Sequence, residues 1–556
     1  MLARIKQYWR TPQPFSSSSC SGIIGGVDMS NMMAQILVLR LLQQSVKAGD
    51  LPYWTTDAMI FSMGLLLALV APFVSWLGYR RRRRTMLLWG LFGCLSLTLI
   101  SFVTILPDYV TDYCNLPKIA HLQSSGTAST VLLIIVGLLI TVTGTAFWSH
   151  GVGYMDENDY DSSTYHGILI CMKVLIYSLG FKFNKHTSDY SMWVQMLTLN
   201  VGYIINLPRL LRASKEIERV SFEDQGFFAS LTRVVTNKLA MSQMLCMSLT
   251  VAGYWGCAYY LYDIMKTKFL HVEADDFATT FSTWIYYHLI YVPVFLVGLK
   301  NKKPIMETFD KYLAIKKTTV MAVILFGLYI GSSFVTCEKG PVAGLSVNKF
   351  DMPLCSNNCG CSPHLEIKPT CVLDEMVTYL SPCHAGCTGM ENLHGIYVVS
   401  NCTCSGGGRG GRGARGVQRP CAACGSSKEL YFALWILIVI LVTVSLILQQ
   451  LTILRSVDAR DRGAALGVAC SLVCLTALVA GNAAYATLSY YTCSWSDNGV
   501  CKIHNYKFPY ITHFISAGLT FLSALISFIT FLLHRKSSDK RRQEVTPVGT
   551  LTVILE

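Results

Sequence analysis

The chain has 556 residues, of which 52% are hydrophobic and only 14% are charged. Soluble domains carry roughly 25% charged residues, so this composition excludes an ordinary soluble globular protein. The formal charge of +13 does not indicate a nucleic-acid partner, because the basic residues are gathered in short segments between long apolar blocks.

Twelve apolar segments are long enough to cross a bilayer as helices, which predicts an all-α integral membrane protein in contact with the lipid bilayer. In chain order they are residues 27–48, 57–79, 85–106, 127–152, 165–181, 191–211, 239–262, 277–299, 318–336, 430–451, 463–489 and 509–533. Asp28, Arg40 and Lys47 interrupt the first segment. The alternative for that segment is an amphipathic helix on the membrane surface.

Six spans, a basic linker and six more spans predict the layout of the major facilitator fold, with two six-helix halves around a central cavity. The predicted parts are a cytoplasmic amino-terminal segment (1–26), a first six-helix half (27–211), a cytoplasmic linker (212–238), helices seven to nine (239–336), an extracellular cysteine-rich loop (337–429), helices ten to twelve (430–533) and a cytoplasmic tail (534–556).

The loop between the ninth and tenth spans is dense in cysteine, which is typical of disulfides formed in an oxidising compartment. Its predicted disulfide cysteines are Cys355, Cys359, Cys361, Cys371, Cys383, Cys387, Cys402, Cys404, Cys421 and Cys424. With Cys337 the loop holds eleven, so at least one needs a partner elsewhere or stays free. The spacing favours disulfides over a zinc site, and it leaves the pairings open.

The cysteine-rich loop is therefore predicted to lie on the extracellular face of the membrane. With twelve spans, this places both termini in the cytoplasm. The predicted cytoplasmic loops are also much richer in Lys and Arg than the short outer loops. In the last outer loop, Cys493 and Cys501 are expected to pair with each other. Asn401 opens an Asn-Cys-Thr glycosylation sequon on the outer side.

Several strings in the outer loop and beside the spans are similar to those of the organic anion transporting polypeptide family. The most specific are Tyr379-Leu-Ser-Pro-Cys383-His-Ala-Gly-Cys387 and Asn401-Cys-Thr-Cys404, which resemble that family's Kazal-like loop. Thr492-Cys-Ser-Trp495 and Gly153-Tyr-Met-Asp-Glu157 also match. The eleventh span departs from the family at Val479-Ala-Gly-Asn482, where proline-containing residues are usual.

The resemblance implies sodium-independent transport of amphipathic organic anions at the plasma membrane, by uptake or exchange. Typical cargoes of the family are steroid conjugates, bile salts, prostanoids and thyroid hormones. The chain has no phosphate-binding Gly-Lys-Ser/Thr loop, and neither enzymatic activity nor a cofactor or metal is predicted. The alternative is a transport-inactive scaffold whose Kazal-like module binds a protease or another protein.

Lys173 is the strongest candidate for binding substrate, because it lies in the middle of a predicted span, where a charge is costly unless it faces a cavity or a partner. The alternative is a structural pair with Asp57 or Asp28. Arg40 and Lys47 lie seven residues apart on one helical face and would attract anions, or else anchor the span at the interface.

Aromatic residues crowd the seventh and eighth spans, and Tyr259 and Tyr287 are candidate contacts for bulky amphipathic substrates. Helix packing and interfacial belts are the alternative for them. Asp57 and the basic turn of Arg80, Arg81 and Arg82 are candidate gating charges at the two ends of the second span.

A glycine-rich tract at residues 406–416, with Arg409, Arg412 and Arg415, resembles RNA-binding segments. Its outer location instead predicts a flexible insert in the Kazal-like loop. Deletion of residues 405–419 is expected to be harmless if this loop has a structural role only.

Overall fold

A computed structural model describes residues 51–80, 127–158, 226–270, 310–361, 367–422 and 424–545, with short gaps at 338–339, 347–348, 394–395, 405–413 and 498. It also describes helical residues at scattered positions from 28 to 46, residue 93 and most of 167–174. The predicted third, sixth and eighth spans lie essentially outside the described residues.

Helices make up most of the described chain. In order they are α1 (Thr55–Arg80), α2 (Thr127–Asn158), α3 (Phe227–Thr236), α4 (Lys238–Tyr259), α5 (Leu261–Phe269), α6 (Lys311–Phe334), α7 (Gly425–Ser456), α8 (Arg462–Val473), α9 (Asn482–Tyr491) and α10 (Lys507–Val545). A π-helical segment, Cys474–Gly481, joins α8 to α9.

Six helical segments in the described chain are long and apolar enough to cross a membrane. They are Thr55–Gly78, Val131–Gly153, Lys311–Phe334, Gly425–Ser456, Ala459–Tyr491 and Lys507–Arg535. α4 is less apolar, and it packs against α7, α8 and α10 with most of its side chains buried.

The described residues of the predicted first span are helical and mostly buried in the bundle. Val38 lies against α2, where a Cβ on Gly137 would come 2.9 Å from the Val38 side chain. Asp28 and Asn31 are buried as well. This placement among other helices differs from the surface-helix alternative, in which the polar face would be exposed to water.

The cysteine-rich loop folds into a small disulfide-bonded module with a five-stranded antiparallel sheet, in the order β2-β1-β5-β4-β3. Its strands are β1 (Thr370–Val372), β2 (Val377–Tyr379), β3 (Gly389–Leu393), β4 (Ile396–Cys402) and β5 (Ala414–Val417). The disulfides are Cys337–Cys424, Cys355–Cys404, Cys361–Cys383, Cys371–Cys421 and Cys387–Cys402. Cys359 is disulfide-bonded too.

The prediction that residues 406–416 are a flexible insert is wrong for its last three residues. Ala414–Val417 is β5, the central strand, which pairs with β1 on one side and β4 on the other. Gly416 is required there for close strand approach, since a Cβ would come 2.7 Å from the Cys371 carbonyl oxygen. Gly416 therefore occurs in β5 for a packing reason, although a stretch of glycine and arginine is typical of a linker.

A second sheet positions the module on the helices. β6 (Cys493–Asp497) and β7 (Val500–His504) form a hairpin between α9 and α10, closed by the Cys493–Cys501 disulfide. Trp495 of this hairpin lies 4.8 Å from Phe350 and 6.0 Å from His384, between ring centroids. The end of the bundle that carries the hairpin is called the module end, and the other the opposite end.

Candidate functional site

The structure pairs Lys173 with Asp28 in the bundle. Lys173 Nζ lies 2.9 Å from Asp28 Oδ2, and the side chains are 22% and 2% exposed, respectively. Lys173 Nζ also lies 3.7 Å from the centre of the Trp148 ring on α2. The ammonium group therefore has a carboxylate and an aromatic face as neighbours, and it keeps a partly open side.

This charge cluster lies where helices from the two halves of the sequence meet. α8 packs against α2 here, and Cys470 of α8 interacts electrostatically with Thr145 of α2 and with Lys173. Gly144 allows close approach beside them, since a Cβ would come 3.3 Å from Gln35 Nε2. A ligand bound to Lys173 would thus be close to helices from both sequence halves.

A second polar cluster lies nearer the module end. Gln43 Nε2 donates a hydrogen bond of 3.3 Å to the hydroxyl of Tyr259, which joins the first predicted span to α4. Asp57 interacts electrostatically with Tyr259 and Tyr260. The Asp57 carbonyl also accepts a 3.4 Å hydrogen bond from Asn482 of α9. Two predicted site residues, Asp57 and Tyr259, are therefore brought together.

The other predicted residues are not all described. Arg40, Lys47, Tyr287, Arg81 and Arg82 lie outside the described residues. Arg80 ends α1, and its side chain is not described. Asn401 is exposed at the end of β4.

Sequence reasoning missed several members of these clusters. Gln43 and Asn482 are polar residues in apolar spans, so their polarity could have drawn attention to them. Trp148, Thr145 and Cys470 carry no such signal, because aromatic, threonine and cysteine residues are ordinary in packed membrane helices. Trp148 and Thr145 lie on α2 and Cys470 lies on α8, so the packing of these helices around Lys173 brings the three together.

Comparison with known proteins gives a family match over more than half of the chain. The model of the "Organic Anion Transporter Polypeptide (OATP) family" matches residues 209–507. Those residues include α3 to α9, the disulfide-bonded module and the β6–β7 hairpin.

The chain is also similar to curated proteins. It is 23% identical over 451 residues to solute carrier organic anion transporter family member 1B1 of Homo sapiens, covering 62% of this chain and 63% of that protein. It is 22% identical over 449 residues to human member 1B3, covering 62% of each. Mouse (Mus musculus) member 6C1 is 24% identical over 290 residues, with 50% and 40% covered. The chain thus spans less than two thirds of the length of these relatives.

Among solved structures, the chain is similar to a bacterial homolog to human lysosomal transporter, Spinster, in an inward-facing and unoccupied conformation. The TM-score is 0.48 at 10% identity, covering 93% of this chain and 97% of that one.

Proposed function

The chain belongs to the Organic Anion Transporter Polypeptide family, and from this premise we propose that it carries amphipathic organic anions across the plasma membrane. The proposed fold is a twelve-helix major facilitator, and the route is alternating access, in which two halves rock around a central site. The proposed cargoes are steroid conjugates, bile salts, prostanoids and thyroid hormones, moved without sodium by uptake or exchange.

The observation that carries the proposal is the position of Lys173. A charged side chain within a bilayer is costly, about 2.5–3.5 kcal/mol on insertion scales, so it is retained where it has a partner or a function. Lys173 has a partner in Asp28, yet it keeps 22% exposure and lies beside helices of both halves. An anionic group of substrate would replace Asp28 at the ammonium, and the Trp148 ring would contact the apolar body.

The remaining candidates have supporting roles in this proposal. Tyr259 and Asp57 belong to the cluster nearer the module end, where the hydrogen bond from Gln43 joins helices of the two halves. Tyr287, Arg40 and Lys47 are proposed as further substrate contacts, and Arg80, Arg81 and Arg82 as gating charges at the opposite end of α1.

The proposed orientation places the module outside the cell and both termini in the cytoplasm. The disulfides support an oxidising environment for the module. The exposed side chain of Asn401 supports glycosylation there.

The test is uptake of a radiolabelled steroid sulfate into cells that express the chain, normalised to its surface amount. We expect saturable uptake that falls at least several-fold in Lys173→Met and is retained in Lys173→Arg. The decisive variant is the double Asp28→Asn, Lys173→Met. If Lys173 binds the anion, uptake stays low in the double variant, whereas a purely structural pair predicts that uptake returns.

The outcome that contradicts the proposal is normal surface expression without uptake across a panel of organic anions. That result would favour the alternative, a transport-inactive scaffold whose Kazal-like module binds a protease or another protein. The family match favours transport over this alternative.

A further inference from the structure

α3 is a short helix with one side fixed to the bundle. Ser230 and Val234 are buried on this side. Ser230 Oγ donates a 2.6 Å hydrogen bond to Asp461 Oδ1, and Arg233 Nε donates one of 2.7 Å to Asp461 Oδ2. A second bond from Arg233 Nη2 to Asp461 Oδ1, also 2.7 Å, makes the ion pair bidentate. This side of α3 is therefore held rigidly.

The rest of the α3 surface divides into an apolar and a polar side. With about 100° between successive residues, Phe228, Leu231 and Val235 fall within about 60° of one another. Phe228 is 78% exposed and Val235 is 48% exposed. Ala229 and Thr236, which are also exposed, fall on the other side, next to Arg233. A helix surrounded by water has no reason to gather its large apolar side chains on one exposed side.

The attachment points of α3 fix its level relative to the membrane spans. α7 ends at Ser456, and the next span begins at Ala459, so Asp461 lies at the ends of two spans. Asn237 Nδ2 donates a 2.7 Å hydrogen bond to the Ser456 carbonyl, and the Asn237 side chain also caps the start of α4. α3 thus lies at the end of the bundle opposite the module, at the level where spans leave the bilayer.

From this geometry we propose that α3 is an interfacial helix whose apolar side, Phe228, Leu231 and Val235, rests on membrane lipid. Its polar side faces water, and its third side is fixed to Asp461. Helices that lie in the plane of a membrane have this division into neighbouring apolar and polar sides. The occupant is the acyl region of phospholipid in the leaflet at the end opposite the module. The proposal does not depend on which solute the protein carries.

Photo-crosslinking of the full-length protein in cell membranes tests the proposal. Benzoylphenylalanine is introduced singly at positions 228 and 235, with positions 229 and 236 as matched exposed controls on the polar side. Mass spectrometry of the peptide then measures the phospholipid adduct. We expect several-fold more lipid adduct at 228 and 235 than at 229 and 236. Equal yields at all four positions would overturn the proposal.

Adducts to a polypeptide in place of lipid would also overturn it, whether to another protein or to another segment of this chain. A second measurement uses Phe228→Trp and Thr236→Trp proteins reconstituted in phosphatidylcholine vesicles with brominated acyl chains, with wild-type fluorescence subtracted. The added fluorescence is expected to be quenched for position 228 and retained for position 236. Retained fluorescence at both positions contradicts lipid contact.

Discussion

At the scale of single residues, the Asp28–Lys173 pair places two opposite charges inside the helical bundle. The Asp28 carboxylate is 2% exposed, so it is shielded from water, and the Lys173 ammonium is its ion-pair partner among the described residues. Removal of one partner of a buried pair leaves the other without compensation, whereas removal of both is often neutral. The stability of the protein should therefore fall when one member of the pair is replaced and change little when both are replaced.

Lys173→Met is expected to destabilise the folded protein by about 3 kcal/mol, because Asp28 is then buried and unpaired. The double variant Asp28→Asn, Lys173→Met should recover most of this loss. The measurement is the Tm of purified protein in detergent. Lys316→Met, which removes an exposed lysine of α6, is the matched control and should leave Tm unchanged.

An equal loss of Tm in the single and double variants would contradict this account, since it would mean that Asp28 has no need of a counter-ion. Measurements of stability report on the ion pair of Lys173 with Asp28, and measurements of uptake report on its proposed contact with substrate. The double variant is expected to be stable and still inactive, a combination that a purely structural pair does not predict.

Lys173 and its two candidate partners, Asp28 and Asp57, could be identified from the sequence, because charged residues are rare within apolar spans. The pairing with Asp28 and not Asp57 could not be predicted, since it depends on which helix lies beside residue 173. Trp148 was also beyond sequence reasoning, because its role arises from a ring face 3.7 Å from the ammonium.

At the scale of elements, α3 contacts residues from both halves of the sequence. Its carboxyl half is held by Asp461, and Phe227 at its start contacts α1. The Phe227 ring lies edge-on to Phe73 and to Trp76, with centroids 5.6 Å apart in each case. A rocking motion of the halves would act on α3 through these two contacts.

Asp461→Asn should loosen α3, because an amide cannot accept the bidentate ion pair from Arg233. Hydrogen bonds to charged groups contribute on the order of 2 kcal/mol. Amide hydrogen exchange in residues 227–236 should therefore accelerate by more than about tenfold. Asp458→Asn is the matched control. Its carboxylate is 66% exposed and contacts Arg460 at 3.3 Å, so its loss should matter little.

Exchange that is unchanged in Asp461→Asn, or equally fast in Asp458→Asn, would show that Asp461 does not hold α3. Hydrogen bonding to Asp461 also raises the pKa of Arg233 above its ordinary value. The arginine therefore stays charged at physiological pH, and the attachment of α3 does not depend on its titration.

The disulfide-bonded module gives a second prediction at this scale. Deletion of residues 405–419 removes β5, which pairs with both β1 and β4. The module should then fail to fold, and the protein should be retained inside the cell. Deletion of residues 407–412 leaves β5 whole and should allow normal surface expression. Surface biotinylation measures both. Normal expression of the longer deletion would contradict a central role for β5.

Elements differ in how well the sequence predicts them. The long apolar helices follow from length and composition, since backbone groups in lipid need the internal hydrogen bonds of a helix. β5 does not, because a short strand is stabilised by its partners, and Gly416 faces a neighbouring backbone that is distant in sequence. The disulfide pairings were open for the same reason.

At the scale of the whole molecule, α1 packs against α8 and the π-helical segment along most of its length. Near the opposite end, a Cβ on Gly467 would lie 2.6 Å from Pro72 Cα and 2.7 Å from the Ala71 carbonyl oxygen. In the middle, Ser471 Oγ donates a 2.7 Å hydrogen bond to the Ala68 carbonyl. Since α1 and α8 belong to different sequence halves, this contact must change if the halves rock.

Gly467→Val is therefore expected to separate α1 from α8 at the end opposite the module, because no flexible side chain can yield to the added atoms. Initial uptake of the steroid sulfate should fall at least several-fold, while the surface amount stays near normal. Gly327→Val is the matched control, since a Cβ at Gly327 of α6 meets nothing within 4 Å. It should transport normally.

The substitution Ser75→Cys distinguishes separation of α1 from α8 from general misfolding as the reason for lost uptake. Ser75 is 1% exposed and lies beside Gly467. In an otherwise wild-type chain, Ser75→Cys should react slowly with a maleimide, as measured on the isolated peptide. In the Gly467→Val background it should react several-fold faster, because separation of the helices exposes it. If the cysteine stays protected while uptake is lost, the contact between α1 and α8 is not what limits transport, and the rocking of the halves would have to occur elsewhere in the bundle.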